Sequence, residues 1–162
     1  MSERIIHDAL TLQVPDSFRD QTPEEMNQLY GGPYDKRWAA WDRDLHVILA
    51  VFWQDNTGLL GLLTHVADPK SVAESNQKKM ARCKASDGYR LEKFFPAQIA
   101  GQPAYGYRYS YQVGDITQVG EAISFLQGKT CYTVYYYARL DDQEPARRQV
   151  FEEVLRSAAL RD

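Results

Sequence analysis

The stretch from Ala104 to Arg139 constrains this chain more than any other. AYGYRYSYQV, residues 104–113, alternates strictly between an aromatic or branched position and a small or polar one, the period-two signature of a β-strand. Gly114-Asp115 ends it with the chemistry of a two-residue hairpin, in which glycine takes the positive φ. Ile116 to Leu126 returns, with a bulge expected at Gly120. Gln127-Gly128-Lys129 turns the chain again into TCYTVYYYAR. Consecutive long strands joined by turns this tight pair antiparallel, because a parallel neighbour needs a crossover of a dozen or more residues.

The rest of the chain supplies shorter strands and three helices. ALTLQVP reads as a strand closed by Pro15. TPEEMNQLYGG carries a helix with Thr22 as N-cap, Pro23 at the first position, Glu25 three after the cap and Gly31-Gly32 as the stop. Lys36–Trp41 and Leu45–Trp53 read as strands, the second ending at a turn around Asp55-Asn56. Its two faces are Leu45, Val47, Leu49, Val51, Trp53 and Ile48, Ala50, Phe52. Both are apolar, so the strand is expected to be covered on both sides. Asp68-Pro69 opens a polar helix running to about Cys83. Its thin apolar stripe of Val72, Ala73, Met80 and Cys83 places it at an edge. Tyr89–Phe95 is a further strand.

A last helix starts at Glu144-Pro145, with Asp141 and Asp142 near its positive end. Ala146, Val150, Phe151, Val154, Leu155 and Ala158 form a wide stripe that should dock on the sheet. Truncating Phe151 should therefore be costly, and truncating Arg148, read as lying on the opposite side, should cost little. The expected class is α+β: a mostly antiparallel sheet of about six strands with helices on both faces, an α/β/α sandwich, built as one domain over 1–162.

Composition excludes several classes. With 162 residues, 44% hydrophobic and 25% charged, the chain is long enough to bury a core without disulfides or metal. Nineteen basic against 22 acidic side chains leave a net charge of −3, a poor footprint for nucleic acid and for anionic lipid. The N-terminal MSERIIHDALTL has no apolar core of a secretory signal. The longest apolar run, Val47 to Trp53, is far short of the ~20 residues of a membrane helix. Cys83 and Cys131 stand 48 positions apart with no CxxC, in keeping with reduced thiols. These features point to the cytoplasm.

Motifs that carry chemistry are sparse. His7, His46 and His65 show no H-x-x-x-H or H-E-x-x-H spacing; Asp68 three after His65 and Asp55 nine after His46 leave a distant metal site conceivable, against single histidines with local hydrogen bonds. No G-x-S-x-G elbow exposes a serine, and neither cysteine has a histidine or helix N-terminus to lower its pKa. Gly128-Lys129-Thr130 lacks the earlier glycine and the following helix of a phosphate loop, so it reads as a hairpin. The expectation is no cofactor and no metal.

Charge and tyrosine are unevenly spread. Lys78, Lys79, Arg82, Lys84, Arg90 and Lys93 against Asp87 and Glu92 give +4 over residues 78–93, whereas the first 44 residues carry −4. A solvated helix face is one account of the basic cluster and a steering patch for an acidic partner the other. Of eleven tyrosines, Tyr105, Tyr107, Tyr109 and Tyr111 share one strand face, and Tyr132 and Tyr136 alternate with Tyr135 and Tyr137 on another strand. Aromatic cross-strand packing accounts for such rows; so does a contact surface, since tyrosine offers large area and a polar tip at low entropy cost. On the second account Tyr105, Tyr107, Tyr109, Tyr111, Tyr135 and Tyr137 are the candidate partner-binding residues.

Three stretches carry a resemblance. ALTLQVPDSFRD resembles the opening strand, proline and turn of the PsbP-like superfamily. AGQPAYGYRYSYQVGD resembles its central hairpin, and GKTCYTVYYYAR with VFEEVLRSAAL its closing strand and final helix, Ser157 included. That superfamily takes in the photosystem protein PsbP, a Ran-binding nuclear import factor and bacterial domains of unknown function; a related bacterial group, the Eag proteins, are chaperones for hydrophobic segments of secreted effectors. The resemblance implies an antiparallel sheet with helices on both faces and a non-enzymatic, protein-binding role of chaperone or adaptor type. No functional motif matches position by position, so no binding residue carries over. The alternative is a small-ligand binder or weak enzyme using a pocket between sheet and helix, with His46, His65 and the tyrosine rows converging there.

Overall fold

The computed structural model describes residues 1–55 and 68–162. In chain order it holds β1 (Ser2–Ile6), β2 (Leu10–Val14), the two-residue β3 (Arg19–Asp20), α1 (Pro23–Tyr30), β4 (Arg37–Asp42), β5 (Val47–Asp55), α2 (Pro69–Cys83), β6 (Arg90–Ile99), β7 (Gln102–Val113), β8 (Ile116–Gln127), β9 (Thr130–Arg139), α3 (Glu144–Arg156) and β10 (Ala159–Leu160). The first two helices begin where their caps dictate. Thr22 Oγ1 accepts the Glu25 N–H at 3.2 Å while Glu25 Oε1 accepts the Thr22 N–H at 3.0 Å, which satisfies two donors that the helix leaves without partners. Asp68 Oδ1 accepts the Ser71 N–H at 2.7 Å, with Pro69 next in the chain.

The main sheet runs β3-β4-β5-β9-β8-β7-β6, every pairing antiparallel. Both expected hairpins are present: Val113 pairs with Ile116 across Gly114, and Gln127 with Thr130 across Gly128. These glycines have φ of 60° and 58°, the left-handed region that a β-carbon disfavours. The class is α+β, as the sequence implies. The main sheet has seven strands, and a second sheet, β1-β2-β10, was not foreseen. β1 is a charged segment with only Ile6 buried, and β10 is two residues long. Neither has a period to read, and both exist through pairing with β2.

Each face of the main sheet is covered differently. On one, Val47, Leu49 and Val51 of β5 pair with Ala138, Tyr136 and Val134 of β9, and Ile123 and Phe125 of β8 continue the layer. The small sheet and α3 close over it: Leu10, Leu12, Val14, Phe151 and Val154 belong to the same buried cluster. Phe151 stacks on Tyr136 with centroids 4.9 Å apart. Ser157 fixes the end of α3 to β2, its Oγ accepting the Gln13 N–H at 2.9 Å and donating to the Val154 carbonyl at 2.6 Å. The other face carries Tyr105, Tyr107, Tyr109 and Tyr111 of β7, Tyr135 and Tyr137 of β9, and Ile48, Ala50 and Phe52 of β5. α1 and α2 cover that face, so β5 is covered on both sides.

Four sequence expectations need correction. α2 does not lie at an edge; it crosses β7 and β8, burying Ala73 completely and reaching β9 through Asn76 Nδ2, which donates to Thr133 Oγ1 at 3.4 Å. A thin stripe suffices because the tyrosines beneath supply the apolar bulk. β8 has no bulge at Gly120: the β7–β8 register runs through Tyr109–Gly120 unbroken, and the irregularity falls between Leu91 and Lys93 in β6. His46 is in the turn between β4 and β5 at φ 56°, not in a strand. Arg148 does not face away from the sheet; its Nε donates to Glu121 Oε2 at 2.8 Å. Asn56 of the expected turn and His65 lie outside the described residues.

Candidate partner-binding cleft

The six tyrosines singled out in the sequence do share one sheet face, but α2 divides them. Tyr107, Tyr109 and Tyr111 are buried beneath that helix, Tyr109 completely, and Tyr105 is half-buried. The three buried rings pack in sequence along β7, with centroids 5.6 Å and 5.9 Å apart, and Tyr89 stacks on Tyr109 at 5.5 Å. As a free contact surface the middle of this row is therefore corrected: it is core. Tyr135 and Tyr137, nearly coplanar at an interplanar angle of 3°, lie beyond the edge of α2.

Those two rings floor a cleft of about 820 Å³ together with Ile48 and Phe52. Leu29 and Tyr30 of α1 form one wall, and Met80 of α2 with Lys84 just past its end the other. At the mouth stand Trp41, Arg43 and His46 from the β4–β5 end, and Tyr111, Val113 and Gln118 from β7 and β8. α1 is held in place by Arg37, which reaches back from β4. Its guanidinium donates to the Gly31 carbonyl at 2.6 Å and to Asn27 Oδ1 at 2.7 Å. It also sits 5.8–6.0 Å from the ring centroids of Tyr30, Tyr34 and Phe52, a geometry in which ring faces attract a cation.

The cleft is neutral at its base, and its lip combines exposed apolar side chains with cations. Burial pushes the Tyr30 phenol up to about 12, and burial likewise raises Tyr135 and Tyr137, so the phenols stay protonated at physiological pH. Leu29 and Val113 on the lining are 48% and 53% exposed. Leu45, Ile116 and Leu140 are exposed at the same end of the sheet, beside Val47, Val113 and Arg139 in the chain or the register. Five of the nine exposed large hydrophobic side chains among the described residues thus gather at or beside the cleft mouth. Periodicity could not locate them, since Leu29 ends one helix and the others sit at strand ends and turns.

The two described histidines, His7 and His46, do not share a site, and His65 lies outside the described residues. His46 lines the cleft mouth. His7, at the β1–β2 turn on the opposite face, stacks on Trp53 at 5.0 Å with its Nδ1 3.0 Å from the Tyr132 hydroxyl. Among the described residues no group of three histidine, cysteine or acidic side chains is placed to hold a metal ion, and no helix is long and apolar enough to cross a membrane.

The seven-stranded antiparallel sheet, with α3 and a small sheet on one face and two helices on the other, is similar in fold to proteins of known structure. The chain has the fold shared by PsbP and Mog1. Cyanobacterial PsbP (CyanoP) from Synechocystis sp. PCC 6803 superposes with a TM-score of 0.69 at 14% identity, over 99% of this chain and 92% of that one. The Ran-binding protein Mog1p of Saccharomyces cerevisiae gives 0.63 at 12% identity, over 98% and 94%. LpqN of Mycobacterium tuberculosis, a protein involved in cell envelope biogenesis, gives 0.53 at 16%, over 94% and 83%. No protein-family model matches the sequence, and neither does any curated protein.

Proposed function

We propose that the protein is a non-catalytic protein-binding module, a chaperone or adaptor that holds an apolar stretch of a partner in the cleft between α1 and α2. One observation carries this reading: exposed Leu29 and Val113 line a cleft that is itself apolar and open, and Leu45, Ile116 and Leu140 are exposed beside it at the same end of the sheet. Exposed hydrophobic surface on a soluble domain costs solubility, and a contiguous patch of it marks an interaction site. Neutral tyrosines suit the floor, because they offer area without a charge to desolvate. That a protein of the same fold is Ran-binding gives the fold a precedent for protein partners. Free thiols at Cys83 and Cys131 accord with a cytoplasmic setting.

A second reading has one observation of its own. The cleft volume of about 820 Å³ lies in the range of small-molecule sites, roughly 300–1,000 Å³, so a small apolar ligand is the alternative occupant.

The test is affinity capture from the native cell with the wild-type chain and with Leu29→Glu/Val113→Glu, both changes at exposed positions that leave the core intact. A reproducible partner retained by the wild type and lost by the double variant is the expected result. A partner held equally by both, or none at all, overturns the reading.

A further inference from the structure

The cations around the cleft rest on ring faces rather than in ion pairs among the described residues. Lys84 holds its Nζ 4.5 Å from the centroid of Tyr111, and the Arg43 guanidinium sits 4.2 Å from that of Trp41. Among the described residues neither forms an ion pair, and nor does Arg37 behind the α1 wall. Arg37 is buried, answered only by a carbonyl, an amide oxygen and ring faces. Among the described residues Asp42 is the one carboxylate on the lining, and its Oδ1 already accepts the Leu45 N–H at 3.0 Å; exposed Asp44 follows Arg43 in the same turn, off the lining and with no ion pair to it. Asp87 is close enough to raise the Tyr111 phenol, after burial, but lies off the lining. Exposed Lys78, Lys79 and Arg82 carry positive charge further along α2.

Such an arrangement selects by charge. Lys84, half-buried on a ring face within a concave apolar wall, is partly desolvated, and the low dielectric around it focuses its field into the cleft, while Arg43 stands exposed at the mouth. An incoming carboxylate breaks no existing ion pair to reach it. An incoming ammonium would meet the same two cations.

We infer that the occupant is a segment of a partner protein whose apolar side chains fill the cleft and whose flanking aspartates or glutamates meet Lys84 and Arg43. This rests on the protein-binding reading above and adds the chemistry of the partner. A chain segment, rather than a small carboxylic acid, is favoured by extent. The apolar surface runs out over the lip through Leu29, Val113 and Leu45, and the positive charge continues along α2, both beyond the reach of a molecule confined to the cavity.

Selection from a random peptide library displayed on phage, against the full chain, tests this. The enriched sequences should combine a cluster of Leu, Ile, Phe or Trp with flanking Asp or Glu. By calorimetry, Lys84→Glu/Arg43→Glu should weaken an enriched peptide by about tenfold or more, and added salt should weaken it on the wild type. The same peptide with Gln for Glu should bind wild type and variant alike. Enrichment of neutral or basic peptides, or indifference to the charge reversal, overturns the inference and leaves the protein-binding reading standing. Binding of dodecanoate with no peptide enriched at all overturns both.

Discussion

Glu121 Oε2 lies 2.8 Å from Nε of Arg148, and the glutamate that it belongs to is entirely buried. Glu121 points from β8 to the face that α3 covers, where Arg148 Nη2 also reaches its Oε1 at 3.1 Å. Arg108 approaches from β7 at 3.2 Å and bridges on to Glu144 at 3.2 Å and Glu92 at 2.7 Å. Arg148 also pairs with Glu152 one turn along α3. Tyr136 donates its hydroxyl to Glu144 at 3.1 Å. The N-terminal half of α3 is thus clamped through ion pairs on a buried carboxylate, and its C-terminal half through Phe151 and Val154.

Arg148→Ala should therefore destabilise the protein, against the sequence expectation that it costs little. Losing one partner of a buried carboxylate costs up to ~3–5 kcal/mol. Arg108 remains as a second partner and Arg148 is itself about a third exposed, so a loss of about 1–3 kcal/mol is expected. Urea unfolding of wild type and variant measures it. An unchanged midpoint would mean that the clamp contributes nothing.

Phe151→Ala should cost more, about 3–5 kcal/mol. The side chain is 1% exposed and stacked against Tyr136, and its loss opens a void where α3, β2 and β9 meet. Thermal melts should show a fall of many degrees. A shift smaller than that of Arg148→Ala would refute the apolar docking of α3.

Gly120→Ala tests the close approach of β8 to the tyrosine row. A β-carbon there would stand 2.7 Å from Cε1 of Tyr109 and closer still to Cζ. That ring is completely buried between its tyrosine neighbours and cannot swing out. Overpacking of this kind costs about 1–3 kcal/mol. Combined with Tyr109→Ala the penalty of the alanine should largely vanish, so the two changes should be strongly non-additive. Simple additivity would show that ring and glycine are not coupled.

High pH should unfold the chain through its buried phenols. Burial raises Tyr30 to about 12 and pushes Tyr107, Tyr109 and Tyr136 higher still, against an unfolded value near 10. A group whose folded pKa is raised contributes stability in full below its unfolded value and loses it as pH rises toward the folded one. Stability should thus fall from about pH 10 upward. Tyrosinate absorbance at 295 nm should rise together with the loss of circular dichroism. Independent titration of all tyrosines near pH 10 with the fold intact would contradict the burial.

The sequence by itself determined the elements whose signals are local. The two glycine hairpins, the period-two strands and the caps at Thr22 and Asp68 each depend on residues within a few positions, and all stand where the pattern puts them. The likeness to the PsbP and Mog1 fold was also legible, in the stretches ALTLQVPDSFRD, AGQPAYGYRYSYQVGD and GKTCYTVYYYAR with VFEEVLRSAAL. Tertiary structure alone decided what depends on residues far apart in the chain. β10 exists because Ala159 and Leu160 meet Thr11 and Leu10. Tyr107 and Tyr109 are core while Tyr135 and Tyr137 floor a cleft, because α2 packs over β7 and β8; the period that put all of them on one face says nothing about where a helix will lie. Arg148 became a clamp because a glutamate 27 positions earlier faces α3 from within the sheet. A side chain's partners are set by the packing of whole elements, and that packing has no period to read.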